Sequence, residues 1–131
     1  MKKMILLPLL AIGMIQAADS NEVNRIQTMQ NLEQGLSTIQ KGLMYNSGSI
    51  LIKGVNEIKR NAQDINAFDI KNEKGTQFNA KEFAERESKA ISQLADEMKI
   101  AYYKGNQNRA LDTYRRLQNQ CLACHKIVRK W

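Results

Sequence analysis

The sequence predicts an all-α chain folded as an antiparallel up-down four-helix bundle. Three observations predict it. Apolar residues recur at steps of three and four in four separate segments. Pro8 is the only proline, so no later segment is interrupted, and Ala, Leu, Glu, Lys and Gln are frequent. The segments are joined by short polar breaks with one exception, which suits helices packed on their sequence neighbours.

The first helix is expected to start at Asp19 or Ser20, either a good N-cap. Ile26, Met29, Leu32, Leu36, Ile39 and Leu43 then trace one seam, which Asn46-Ser47-Gly48 breaks. The second helix carries Leu51, Val55, Ile58, Ala62 and Ile65 in the same rhythm. A polar loop from Asn66 to Phe78 is the one long connection, and it holds Phe68, Ile70 and Gly75. The third helix has the best start signal: Asn79 as N-cap, Glu82 at N3, and Phe78 placed to staple onto Phe83. Its stripe runs through Phe83, Ile91, Leu94, Met98 and Ala101 and stops at Lys104-Gly105. The fourth helix uses Ala110, Tyr114, Leu117, Cys121, Cys124 and Val128, which puts both cysteines on the seam that faces the core.

The first residues read as an export signal. Lys2 and Lys3 form a basic start, Met4 to Ile15 are apolar apart from Pro8 and Gly13, and small residues Ala17 and Ala18 follow. The stretch is too short for a spanning helix, and cleavage is expected after Ala17. Residues 1–17 are then a leader and 18–131 one domain, with no membrane span in the mature chain. The formal charge of +7 falls to +5 when Lys2 and Lys3 leave. That excess is spread along the chain, and no aromatic residues interleave with the Lys59-Arg60 and Arg115-Arg116 pairs, so nucleic acid is not an expected partner. Solvated helix faces account for this spread of charge, with a mild preference for acidic protein partners as the functional alternative.

The chemistry lies in Cys121-Leu122-Ala123-Cys124-His125, six residues from the C-terminus. C-x-x-C-H is the attachment signature of a c-type haem: two thiols add across the two vinyl groups and the histidine ligates the iron. His125 is the only histidine and these are the only cysteines. A structural zinc site wants four ligands, and the chain has three Cys and His side chains in all. A thioredoxin-like redox pair needs a βαβ setting, and nothing here reads as strand. A disulfide between the two cysteines would close a tiny loop and stabilise little. The expected cofactor is therefore one covalently attached haem c, bound inside the bundle near the C-terminal end of the last helix. Attachment takes place outside the cytoplasm, so the leader and the motif agree on a periplasmic protein.

A C-terminal C-x-x-C-H on the last of four helices resembles the class II cytochromes c, the cytochrome c′ group. The resemblance extends to Arg129, four residues after His125, and to the pair Arg25 and Met29 early in the first helix. Val128 stands where the family commonly has an aromatic residue, and Phe83 where it often has a tryptophan. The resemblance implies His125 as the proximal ligand, with Arg25 and Arg129 near the haem. It also implies that the side chain at position 29 covers the distal face. In gas-binding members that side chain is leucine or phenylalanine and the iron is five-coordinate. In electron-transfer members a methionine closes the sixth position. Homodimers through the first two helices are common in the family, although no exposed apolar patch in this sequence demands one. Whether Gly48 and Gly54 permit close helix contact there is left open by the sequence.

Helix rise gives a check that is independent of the resemblance. Met29 falls about 14 Å along the first helix, and His125 about 9 Å from the end of the fourth, in the same half of an up-down bundle. Met44 belongs to the opposite end, and Met98 lies about 28 Å along the third helix. Met29 is thus the one mature methionine within reach of the iron, although its seam position also suits plain core packing. Arg129 equally suits a cation at a helix C-terminus, and Arg25 a solvated position. Tyr102, Tyr103 and Tyr114 are expected to pack, and Trp131 to cover a haem edge or to fray. The function expected is single-electron transfer between redox proteins, with nitric oxide or carbon monoxide binding on a five-coordinate haem as the alternative. No carboxylate pair, nucleophile–base arrangement or second metal site can be assembled, so the chain does not read as an enzyme.

Overall fold

The computed structural model describes residues 20–68 and 79–129. The leader, the Asp19 cap, the Phe78 staple, Trp131 and the side chain of Arg129 lie outside what is described. The described residues are helical: α1 Ser20–Met44, α2 Gly48–Asp64, α3 Ala80–Tyr103 and α4 Gln107–Arg129, with a 3-10 turn over Ile65–Ala67 after α2. Among them no helix is long and apolar enough to cross a membrane.

Local chemistry fixes the ends. Asn79 caps α3 by accepting the Glu82 N–H at 3.1 Å, as its sequence predicts, and Asn106 caps α4 by accepting the Arg109 N–H at 3.1 Å. α1 closes with Asn46 in the left-handed region at φ 47°, where Ser47 N–H reaches Gly42 C=O and Asn46 N–H reaches Leu43 C=O. α3 ends the same way on Gly105 at φ 72°, with Asn106 N–H on Ala101 C=O. Both are Schellman closures, which consume carbonyls that the last helical turn leaves unpaired.

α1 and α2 pack tightly because two glycines let their backbones meet. A Cβ on Gly42 would lie 2.5 Å from the Leu51 backbone nitrogen, and one on Gly54 2.7 Å from that of Ile39. Gly35 meets Ile58, and Asn31 donates to Asn61 Oδ1 at 2.9 Å, so the contacts climb α2 as they descend α1. Gly54 is thereby occupied within the chain, and Gly48 packs against Tyr102 and Tyr103. α2 packs on α3 and α3 on α4. Ile39, Leu51, Ile58, Met98 and Leu117 are fully buried between them. Each contributes about 1.5–3 kcal/mol by leaving water. Lys59–Asp96 at 2.7 Å and Arg116–Glu97 at 3.3 Å tie neighbouring helices at the surface, where such pairs add little.

Two seam assignments are corrected. Ile26 is 46% exposed: the buried stripe of α1 runs Thr28, Leu32, Gly35, Ile39, and Ile26 stands nearly half a turn from its centre at about 100° per residue. Val128 is 38% exposed although its angle is right, because it lies level with the start of α3, where the packing partner ends. α1 and α4 do not join closely. Met29 and Leu36 border the buried stripe of α1 and face a cleft between these two helices.

Candidate functional site

The cleft has a volume of about 320 Å³, at the small end of the range for ligand pockets. α1 supplies Met29, Leu32, Glu33 and Leu36 to its wall, spaced by one helical turn or less. α4 supplies Cys121, Leu122, Cys124 and His125, with Gln118 and Asn119 at the rim side. Ile65 and Ile91 close its floor. The wall is predominantly apolar. His125 Nε2 lies 3.3 Å from Met29 Sδ, across ninety-six residues of chain.

Both cysteines are free thiols, Cys124 buried and Cys121 partly so. Burial pushes each thiol up to about 11, and the Glu87 carboxylate nearby adds to the rise. Both are therefore protonated at neutral pH. Glu87 is itself buried on α3, with a side chain 7% exposed, and it accepts from Gln120 on α4 and from Arg86 at 3.4 Å. Tyr114 is buried beside this group and its phenol is raised by burial, while its hydroxyl accepts from Gln118 at 3.1 Å.

Four of the six predicted site residues meet in the cleft: Cys121, Cys124, His125 and Met29. Arg25 is partly buried one turn before Met29 and does not line the cleft. Met44 is exposed at the far end of α1, and Met98 is fully buried in the core, so neither competes with Met29. Sequence reasoning passed over Glu33 and Leu36 as cleft residues, though they lie four and seven positions after Met29. It also passed over Glu87, which fills the gap between Phe83 and Ile91 in the apolar stripe of α3.

These residues fit a haem c by the chemistry of the donor set. Two free thiols on one wall could serve as covalent anchors, and an imidazole nitrogen and a thioether sulfur lie beside each other. Among the described residues no group of three or more His, Cys, Asp or Glu side chains is placed to hold a metal ion. Compared with known proteins, the chain matches no family model, no curated protein and no solved structure.

Proposed function

We propose that the chain is an exported mono-haem c-type cytochrome of class II, an antiparallel up-down bundle that carries single electrons between periplasmic redox proteins. One observation carries the reading: His125 Nε2 and Met29 Sδ approach to 3.3 Å across an apolar cleft whose wall also bears Cys121 and Cys124. When bound, haem supplies an iron that alternates between the ferric and ferrous states.

The chain's own residues do the rest. Cys121 and Cys124 would hold the cofactor through thioether bonds, each S–H contributing its sulfur to one carbon of a vinyl group and its hydrogen to the other, with no net oxidation. His125 offers the Nε2 lone pair, which requires its proton on Nδ1. Met29 offers a thioether from the opposite wall, and that pairing raises the potential relative to an imidazole or an open site. Leu32, Leu36, Ile65 and Ile91 keep water from the cleft. The modest positive charge of the mature chain favours docking to acidic faces of partner proteins.

The test is covalent attachment. The protein expressed with a c-type maturation system is expected to stain for haem after a denaturing gel, and Cys121→Ala with Cys124→Ala to lose the stain entirely. An unstained band from the unmodified protein would overturn the proposal.

A further inference from the structure

The end of the bundle opposite the cleft is built from the α1–α2 and α3–α4 turns. Asn46 joins them: its Oδ1 accepts from Tyr102 Oη at 3.1 Å and from Gln107 Nε2 at 3.3 Å. Large apolar side chains protrude here instead of packing, with Met44 73%, Tyr45 70% and Tyr103 58% exposed. Among the described residues this end carries no carboxylate. No Asp or Glu occurs between Glu33 and Glu57, nor between Glu97 and Asp112. Those two stretches hold five cations: Lys99 pairs with Asp96 at 3.6 Å, while Lys41, Lys53, Lys104 and Arg109 are exposed and in no ion pair among the described residues. Lys41 and Lys104 sit at helix C-termini, where the macrodipole favours a cation. That accounts for two of the charges and for none of the exposed tyrosines or methionine.

We propose that this end docks on an anionic phospholipid surface. Tyrosine prefers the boundary between headgroups and acyl chains, where its ring is apolar and its hydroxyl wet. Cations interspersed with it meet the negative headgroups. A protein interface would gather the apolar groups at a centre within a polar rim; here they neighbour the cations along each helix end, Met44 and Tyr45 one turn after Lys41 and Tyr103 next to Lys104. The cleft would stand off the surface, since Met29 and Met44 are about 22 Å apart along α1. The inference does not depend on haem binding.

Co-sedimentation of the purified protein with vesicles tests it. Binding is expected to vesicles containing phosphatidylglycerol at low salt, and not to vesicles of phosphatidylcholine alone. Each cation near such a surface is worth roughly fivefold in binding. Lys41→Gln with Lys104→Gln should therefore weaken binding about 25-fold. Tyr45→Ser with Tyr103→Ser should remove the part that survives high salt. Lys81→Gln with Lys89→Gln, at the start of α3, should leave binding unchanged. Equal binding to both vesicle types overturns the proposal, as does binding that survives both end variants, which an apolar N-terminal segment would give. Capture of an acidic soluble protein in place of vesicles overturns it too.

Discussion

In the folded protein with both cysteines free, the two thiols should react far more slowly than ordinary cysteines, and the size of the effect follows from their burial. Both are raised from 9.0 to about 11 by desolvation, with Glu87 contributing. At pH 8 a thiol titrating at 9 is roughly 10% thiolate, and one titrating at 11 roughly 0.1%, a hundredfold fewer nucleophiles. Greater basicity makes each thiolate intrinsically more reactive by about eightfold over two units. The net expectation is alkylation by iodoacetamide slower by about tenfold than in an unstructured peptide containing the same five residues. Limited access also slows a buried thiol, so the deciding readout is the pH profile. The rate in the folded apoprotein should climb through pH 10 and level only above about 11. A profile that levels near 9 would refute the reasoning whatever the absolute rate. The sign for stability follows: between 9 and 11 the folded state holds protons that the unfolded state has released, so apoprotein stability falls as pH rises. Conversion of both thiols to thioethers should abolish this alkaline loss.

Gly54→Ala would force a Cβ to 2.7 Å from the Ile39 backbone nitrogen and 2.9 Å from the Gly35 carbonyl oxygen. The strain, about 1–3 kcal/mol, exceeds the gain of at most about 1 kcal/mol from replacing a helical glycine, so urea unfolding should show a net loss. Asn79→Ala removes the bond to the Glu82 N–H and should cost about 1 kcal/mol, with amide exchange accelerated in the first turn of α3. Asn46→Ala should cost more than Asn46→Gly, because alanine resists φ 47° while both lose the bonds from Tyr102 and Gln107; thermal unfolding of the pair checks the order.

Helix positions were legible because the periodic stripes are long and their ends carry chemistry. Asn79 and Glu82 announced the start of α3, and Lys104-Gly105 its stop. What escaped was the finer rotation of each helix. On α1 the closest-packed positions are Gly35 and Gly42, which apolar counting passes over since a glycine buries backbone instead of side chain. The true stripe therefore lies rotated from the apparent one, and Ile26 falls outside it. The same rotation turns Met29 and Leu36 out of the core and toward the cleft. Of the site, the run from Cys121 to His125 was readable from spacing alone. Met29 needed a resemblance and a helix rise to single it out, and the 3.3 Å approach to His125 is a tertiary fact that no local pattern encodes. Glu87 escaped because an acidic residue on an apolar stripe reads as a gap, until Gln120 and Arg86 are found to satisfy it.

The central claim is the pairing of His125 with Met29, and optical spectroscopy tests it most directly. The haem-loaded protein is expected to give a low-spin ferric spectrum with the weak far-red methionine–iron band and a ferrous spectrum indifferent to carbon monoxide. Met29→Leu should lose the band and bind the gas. A high-spin spectrum from the unmodified protein, shifting when carbon monoxide is added, would contradict the account and place the chain with five-coordinate gas-binding haem proteins.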